Sequence, residues 1–196
     1  MRLLIFFKQI PEFNQLNLED KVTLIKFNLL PLLCINCTLS YDSEKDLMAE
    51  TESDVPWDPA VLQSVYGIDG YQAIKRVFDR FLHIAKYDQK IIQLSLITFM
   101  LTKGFSPVVD NEPILIDAHA VFRAQNYYTE LLWRYLEAVH GFDLAVEIIN
   151  RLIMNFMSWQ MLQIRLRNHI EQTLLSTDTN ELLPFMKALL NMELNG

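Results

Sequence analysis

Apolar residues recur every three or four positions along most of the chain, which is the spacing of helices that bury one face. The segment 21–40 differs because it is apolar on all sides, and this predicts a helix buried in the middle of the fold. Pro31 lies inside that segment and predicts a kink there. Residues 41–59 are polar and rich in turn formers, so they predict a loop or one short hairpin. The pattern indicates an all-α fold.

Five more helices are predicted after this interruption. Gly70 precedes the first, Asp88 is placed to cap the second, and Gly141 is placed to stop the third. The helix after Gly70 has an apolar face of Ala73, Ile74, Val77, Phe78, Phe81, Leu82 and Ala85, and the next helix, 89–102, is almost uniformly apolar. The helix before Gly141 has an apolar face of Val121, Tyr128, Leu131, Leu132, Tyr135, Leu136 and Val139. The fourth helix runs from 143 to about 175 with Ile149, Leu152, Ile153, Phe156, Met157, Ile164 and Ile170 on its apolar face, and the fifth covers 182–194.

The composition narrows the class of protein. A chain of 196 residues suits one domain, and 51% apolar residues with 5 Gly and 7 Pro exclude a disordered chain. The net charge of −7 argues against a basic nucleic-acid surface over the whole domain. Cys34 and Cys37 are too few for a disulfide framework or a four-cysteine zinc site, so two buried or pocket-lining thiols in a reducing compartment are favoured.

The first residues do not resemble a targeting segment. The apolar run before Lys8 is only five residues long, and no small-residue cleavage site follows it. No stretch reaches the roughly eighteen uncharged apolar residues that a membrane span needs. The sequence therefore predicts a soluble domain without membrane contacts.

One segment near the start carries most of the functional information. Lys8 closes a helix, a connector carries Phe13 and Leu16, and Asp20 opens the next helix. This order resembles the signature of the nuclear-receptor ligand-binding domain: aromatic, small residue, Lys, four variable positions, Phe, two, Leu, three, Asp, Gln or Lys, then an aliphatic pair. Every spacing matches, and only Phe7 stands where the family prefers a small residue. The last predicted helix of the chain is similar to the final helix of the subfamily that contains retinoid-related orphan and ecdysone-type receptors.

The resemblance implies a single domain over residues 1–196, built as an antiparallel helical sandwich around a lipophilic pocket with at most one small β-hairpin. It implies that the chain begins within the family's third helix, as a truncated or excised piece or as a form that regulates through protein contacts alone. Two cysteines cannot supply the eight ligands of the family's zinc fingers, so DNA contacts would come through a domain absent from this chain. Ser40 stands where retinoid-type receptors keep an arginine, so an acidic ligand is not expected there.

The resemblance further implies a groove for a coactivator or corepressor helix of Leu-x-x-Leu-Leu type. Aliphatic anchors of such a helix fill an apolar slot, while a lysine meets the unpaired carbonyls at the helix C-terminus. Lys8 matches the family's clamp lysine and Lys26 its second basic position; two ordinary solvated lysines are the alternative. The implied groove residues are Lys8, Leu18, Lys21, Val22, Lys26, Phe185, Met186, Ala188 and Leu189.

The predicted helix 182–194 resembles the family's activation helix with one departure. The family places a glutamate there to accept N–H groups of the coactivator helix, and Ala188 replaces it. A hydrogen bond to a charged group contributes roughly 1.5–3 kcal/mol, so its loss implies binding weakened about tenfold or more. Met186, Leu189 and Leu190 also resemble a Leu-x-x-Leu-Leu motif. We hypothesise that this helix occupies the domain's own groove; the alternative is an ordinary amphipathic helix.

Two other surfaces follow from the resemblance. The helix over 143–163 matches the family's dimerisation surface, for a homodimer or a heterodimer with another nuclear receptor. His169 matches a position that often faces the ligand, although a structural histidine is the alternative. No cofactor or metal is implied, only a lipophilic small-molecule ligand. The implied pocket residues are Leu3, Phe6, Phe7, Leu33, Cys34, Cys37, Phe78, Phe81 and His169, and the implied dimer-interface residues are Arg151, Met154, Ser158, Leu162 and Arg165.

Three functions compete. The resemblance implies the ligand-binding, coregulator-recruiting domain of a ligand-regulated or orphan nuclear receptor with a weakened activation helix, in the nucleus or also in the cytoplasm. The alternative is a ligand-independent dimerisation or repressor module whose pocket is filled by phenylalanines, which the bulky Phe7 favours. An all-α enzyme is disfavoured because the sequence has no phosphate loop, metal motif or nucleophile elbow. The sequence does not distinguish between activation and repression of transcription.

Overall fold

The computed structural model describes residues 2–42, 47–48, 59–103 and 114–173. Over these ranges the fold is all-α apart from one small hairpin, as the spacing of apolar residues predicts. The predicted helix 182–194 lies outside the described residues. The elements are α1 (Arg2–Lys8), α2 (Pro11–Gln15), α3 (Leu18–Cys37), a 3₁₀ turn (Thr38–Ser40), β1 (Tyr41–Asp42), β2 (Leu47–Met48), α4 (Pro59–Ala85), α5 (Gln89–Met100), α6 (Ala118–His140) and α7 (Phe142–Thr173).

Helix α3 is bent, as Pro31 predicts, but the predicted burial on all sides is wrong for its first half, where Val22 is 56% exposed. The segments Leu18–Leu29 and Pro31–Ser40 meet at 55°, because proline removes one backbone N–H and its ring collides with the preceding turn. Leu32 is fully buried directly after the bend. Trp159 of α7 donates its indole N–H to the carbonyl oxygen of Pro31 at 3.2 Å. The bend is therefore tied to α7 as well as packed in the core.

The polar interruption after α3 contains the hairpin. Strands β1 and β2 pair antiparallel, with Tyr41 opposite Met48 and Asp42 opposite Leu47. Tyr41 is buried and meets Phe78 of α4 edge-on, with 5.8 Å between the ring centroids. The hairpin thus packs one aromatic ring against the middle of α4.

Helix α4 buries most of the predicted face but begins earlier than predicted. Ile74, Val77 and Phe81 are buried, whereas the predicted start after Gly70 is wrong because the helix runs from Pro59. The conformational break lies at Gly67, where φ is +69° and ψ is 169°. A residue without a Cβ adopts this conformation at low cost, so the helix resumes after a kink.

Helix α5 lies at the centre of the described fold. Its N-cap is Asp88, as predicted, because the side chain accepts a hydrogen bond from the Lys90 backbone N–H at 2.8 Å. The helix ends at Met100, two residues before the predicted end. It packs on α3, α4 and α6, and α7 packs on α4 and α6. The fully buried side chains of α5 explain its uniform apolar character.

Helices α6 and α7 bury narrower faces than predicted. Gly141 ends α6 with φ of +79°, which confirms the predicted stop. Leu131 and Val139 of α6 are 38% and 54% exposed, and Met157 of α7 is 56% exposed. Each helix carries apolar residues on more than one side, and only the side against its neighbours is covered. The face predicted for α7 is wrong in the same way at Ile153, which is 48% exposed.

Two buried polar side chains hold the start of α3 against distant segments. Asp20 is 1% exposed, and its carboxylate accepts hydrogen bonds from the backbone N–H groups of Ile116 at 2.7 Å and Asp117 at 2.9 Å. Asn28 is fully buried and donates its amide to the carbonyl oxygens of Met100 and Thr102, both at 2.9 Å. These bonds fix α3 relative to α5 and to the N-terminus of α6.

Within the described residues, no single helix is long and apolar enough to cross a membrane. The two segments of α3 reach the required length and composition only together, across the 55° bend.

Candidate functional site

The end of α1 is held by the connector that follows it. Asn14 donates its side-chain amide to the backbone carbonyl of Lys8 at 2.5 Å, which satisfies one of the carbonyls left open at a helix C-terminus. Phe13 and Leu16 are buried and anchor the connector in the core. Lys8, the last residue of α1, is exposed and sits on a fixed backbone.

The first turns of α3 present two aliphatic side chains to solvent. Asn17 caps the helix by accepting a hydrogen bond from the Asp20 backbone N–H at 2.8 Å, and its amide donates to the Asp20 carboxylate at 2.6 Å. Leu18 is 74% exposed and Val22 is 56% exposed. Residues four apart lie on one side of a helix, so the two form a continuous apolar strip. Adjacent exposed apolar side chains are a candidate for a binding surface.

Lys21 and Lys26 lie beside this strip on α3, and the backbone of Lys8 is linked to α3 through Asn14. Lys26 is exposed, four residues beyond Val22 on the same side of α3, with its Nζ 5.5 Å from the ring centroid of Phe27. Lys21 donates its Nζ to the carbonyl oxygen of Asn14 at 2.5 Å. This bond and the Asn14–Lys8 bond connect the end of α1 to the first turn of α3. Lys21 is therefore engaged within the protein, whereas Lys8 and Lys26 extend into solvent.

We name Lys8, Leu18, Val22 and Lys26 the lysine-flanked surface. Ile5 of α1 is 57% exposed and lies three residues before Lys8, so it belongs on the same side of α1. The sequence reasoning missed Ile5, although its spacing from Lys8 was visible. Four further groove residues, Phe185, Met186, Ala188 and Leu189, lie outside the described residues.

The electrostatics under this surface come from Asp20. Burial alone would raise the pKa of its carboxyl, but hydrogen bonds from the N–H groups of Asp117 and Ile116 and from the Asn17 side chain outweigh burial and lower it. Asp20 therefore stays ionised at neutral pH. It fixes the direction of the first turn of α3, and with it Leu18 and Val22.

The predicted pocket residues fall mainly in the core. Leu3, Phe7, Phe78 and Phe81 are buried in one hydrophobic cluster, and Phe6, Leu33 and Cys34 are half-buried against it. Phe6 and Phe7 lie 5.4 Å apart by ring centroids, and Phe81 meets Phe156 of α7 at 5.0 Å. Cys37 and His169 are half-buried and are not members of this cluster. The aromatic side chains thus pack on one another.

The two thiols are poor nucleophiles in this environment. Burial, followed by the neighbouring Cys37, raises the pKa of Cys34. Burial also raises the pKa of Cys37 to about 11. Both thiols are protonated at neutral pH, which disfavours reaction and metal binding. Among the described residues, no group of three or more His, Cys, Asp or Glu side chains is placed to hold a metal ion.

Four of the five predicted dimer residues line an open groove on α7. The groove has a volume of about 340 Å³ and is lined by Met154, Met157, Ser158, Met161, Leu162 and Arg165. We name it the methionine groove. Leu162 is only 7% exposed and lies at its floor, whereas Met154 is 63% exposed. Arg151 pairs with Glu147 of its own helix at 2.5 Å and is not among the lining residues.

The sequence reasoning missed two of the three methionines in this groove. Met157 belongs to the predicted buried face and Met161 to none of the predicted faces, but they are 56% and 55% exposed. The signal was the recurrence of methionine at 154, 157 and 161, which places all three sulfurs on one side of a helix.

No protein-family model and no curated protein matches this chain.

Proposed function

We propose that this chain is the coregulator-recruiting, ligand-binding-type domain of a nuclear-receptor transcription factor. The lysine-flanked surface binds one amphipathic helix of Leu-x-x-Leu-Leu type. The single observation that carries the proposal is the exposed pair Leu18 and Val22, 74% and 56% exposed, at the helical spacing that such a partner requires. The all-α fold and the spacing from Lys8 to the aliphatic pair support the same assignment.

The chemistry of the surface matches that partner. Apolar side chains of the bound helix lose contact with water against Leu18 and Val22, which contributes most of the affinity. The exposed ammonium groups of Lys8 and Lys26 suit the carbonyls and partial negative charge at the partner's C-terminus. The bonds through Asn14, Asn17 and Asp20 keep the surface in one shape, so little ordering is needed on binding.

The test is fluorescence anisotropy with a labelled amphipathic peptide that carries one Leu-x-x-Leu-Leu motif. Leu18→Asp is expected to weaken binding by about tenfold or more, because it places a charge in the apolar contact. The matched control is Ile68→Asp on α4, since Ile68 is 71% exposed and lies outside the surface. Equal affinities of the two variants would contradict the proposal.

A second candidate is a dimerisation or repressor module that needs no ligand. It is favoured by Phe7, which is 1% exposed and occupies a position where the family prefers a small side chain. Phe7 and Phe81 are among the largest fully buried side chains of the described core. Aromatic side chains that pack on one another in this way fill the space a lipophilic ligand would need.

Native mass spectrometry separates the two candidates. A lipophilic small molecule retained by the purified chain supports a ligand-regulated domain. No bound mass after incubation with a mixture of fatty acids and sterols supports the filled module. In both cases the methionine groove is proposed to bind a second receptor-type domain, and sedimentation of the purified chain tests whether a second copy suffices.

A further inference from the structure

Gln163 of α7 carries a buried hydrogen-bond donor that no described residue accepts. Its side-chain Nε2 is shielded from solvent and has no partner within the part of the chain that the structure describes. Gln163 lies four residues after Trp159 and three before Leu166, which are both buried, so it belongs to the covered side of α7. An unpaired buried donor destabilises a fold, so an acceptor from outside the chain is favourable at this position.

Helix α3 borders this donor on one side. The Trp159 indole N–H bonds to the Pro31 carbonyl oxygen at 3.2 Å, one turn of α7 before Gln163. Cys34 lies three residues after Pro31, on the same side of α3. The contact at Trp159 therefore brings the second half of α3, with its Cys34 thiol, next to the covered side of α7.

Helix α4 borders the donor on the other side. A Cβ atom on Gly70 would lie 3.4 Å from Leu166 Cδ2 and 3.0 Å from Tyr66 Cβ, so the glycine leaves room for Tyr66 where α4 meets α7. The chain kinks directly after Tyr66, at Gly67. These contacts place Tyr66 beside Leu166, which is one turn of α7 after Gln163.

The Tyr66 hydroxyl and the Cys34 thiol belong to one junction between the three helices. Burial, followed by the neighbouring Cys34, raises the pKa of Tyr66 to about 12, so the hydroxyl keeps its proton and can donate a hydrogen bond. Because Tyr66 lies beside Leu166 and Cys34 neighbours Tyr66, α3 runs from Pro31 to Cys34 in the direction of Gln163. We name Cys34, Tyr66 and Gln163 the polar junction.

We propose that the polar junction binds the carbonyl oxygen of a neutral lipophilic ligand, with the Gln163 amide and the Tyr66 hydroxyl as hydrogen-bond donors. This inference rests on the ligand-binding part of the proposed function.

The chemistry of the junction selects the class of ligand. The core around it is apolar, which favours a molecule that is mostly hydrocarbon. The three polar groups are neutral at neutral pH, because the pKa values of Cys34 and Tyr66 are raised and an amide does not ionise. A buried carboxylate would find no counter-charge in these three groups, whereas a ketone or ester oxygen needs only the donors that they supply.

The experiment uses two probes of equal shape on the full chain. One is decyl methyl ketone, and the other is the branched alkane in which a methyl group replaces the ketone oxygen. Equilibrium headspace gas chromatography measures the dissociation constant of each probe. The ratio of the two constants is compared between proteins, so the different water solubilities of the probes cancel.

Gln163→Leu removes the unpaired donor and keeps the site apolar. We expect it to weaken ketone binding relative to the alkane by about fivefold to tenfold, and Tyr66→Phe to do so by about two- to fivefold. Gln125→Leu on α6 is the matched control, because the Gln125 amide already donates to the Thr102 hydroxyl at 2.8 Å and lies outside the junction. The control is expected to leave the ratio unchanged.

Urea unfolding without probes gives a readout that does not depend on the ligand. Loss of an unpaired buried donor is expected to raise the urea midpoint of Gln163→Leu. Loss of a hydrogen bond that the fold uses is expected to lower the midpoint of Gln125→Leu. A lowered midpoint in Gln163→Leu would show that the amide has a partner within the chain, and the inference would be overturned.

The remaining outcomes separate this inference from the proposed function. If both probes bind and Gln163→Leu leaves their ratio unchanged, the inference is overturned while ligand binding stands. If neither probe binds the unaltered chain, the inference is overturned and the filled module is supported. In both cases, binding of the Leu-x-x-Leu-Leu peptide at the lysine-flanked surface still tests the rest of the proposed function.

Discussion

The lysine-flanked surface and the methionine groove are both apolar and exposed, but they are built in different ways. Leu18 and Val22 are branched side chains on a helix start that is fixed by a buried carboxylate. The methionine groove has unbranched, flexible side chains along the middle of a long helix. A rigid strip suits one class of partner helix, whereas a methionine face adapts to the shape of whatever packs on it. If both surfaces bind partners as proposed, we expect specificity at α3 and adaptability at α7.

The largest expected effect comes from removing the support under the rigid surface. Asp20→Ala leaves the N–H groups of Ile116 and Asp117 without their acceptor. We expect the free energy of unfolding to fall by about 3 kcal/mol, because two charge-assisted hydrogen bonds are lost together. Urea unfolding followed by circular dichroism measures it.

Asp117→Ala is the control for this variant. Asp117 caps α6 by accepting from the Ala120 backbone N–H at 2.9 Å, and an exposed cap of this kind contributes about 1 kcal/mol. A loss in Asp20→Ala no larger than in the control would show that the buried carboxylate does not hold α3 to α6.

Acidification is expected to lower the free energy of unfolding because it protonates the same carboxylate. The folded pKa of Asp20 is lowered from its ordinary value of 3.8, so its stabilising contribution is fully present well above that value. The contribution is lost as the pH falls below about 4 and through the lower folded pKa. Urea unfolding from pH 7 to pH 3 measures the loss, and Asp20→Asn is expected to flatten the acidic part of the curve.

Asp88 is a second carboxyl group whose pKa is lowered, and it serves as a comparison. The Tyr135 hydroxyl and the Lys90 backbone N–H bond to it and lower its pKa. It is half-buried, so solvent screens its contribution and Asp88→Asn is expected to flatten the curve less than Asp20→Asn. The reverse order would contradict the assignment of Asp20 as the main acid-sensitive support.

A crosswise pair of substitutions tests whether the two surfaces work independently. Val22→Asp is expected to weaken binding of the Leu-x-x-Leu-Leu peptide by about tenfold and to leave dimerisation unchanged. Met157→Asp is expected to do the opposite. Each variant is the control for the other, because both place one carboxylate at a position that is 56% exposed. If both variants affect both measurements, the two surfaces are one coupled site.

The contrast between the two surfaces also shows what the sequence could predict. The bend at Pro31, the cap at Asp88 and the stop at Gly141 follow from local chemistry that involves a few neighbouring residues, and these predictions are confirmed. The predicted start of α4 is wrong because the sequence pattern takes Gly70 as the boundary of the helix. The break in the structure is at Gly67, which has a positive φ and lies inside one longer helix. Local signals are therefore reliable where a single residue decides the conformation.

Other features depend on residues that are distant in sequence. Asp20 reads as an ordinary acidic residue in the first turn of a helix, yet its main partners are the N–H groups of Ile116 and Asp117 near α6. The sequence predicts Met157 as a core residue because it lies four residues after Ile153 in the predicted apolar face, and only packing shows which side of α7 is covered. Periodicity identifies an apolar face but not its neighbour, so the recurrence of methionine at 154, 157 and 161 groups these residues on one side of α7 but does not show that this side is exposed.

The smallest expected effect is electrostatic and concerns the lysine-flanked surface. Lys26→Ala is expected to weaken peptide binding by about two- to fivefold, because an exposed ammonium group contributes only modestly to a contact screened by water. Lys86→Ala is the matched control, since Lys86 is also exposed and lies after α4. The difference between the two variants is expected to shrink as salt rises from 50 to 500 mM, in anisotropy titrations with the same peptide. A loss that does not depend on salt would indicate that the Lys26 side chain acts by packing on the partner helix, and the lysines would then extend the apolar strip formed by Leu18 and Val22.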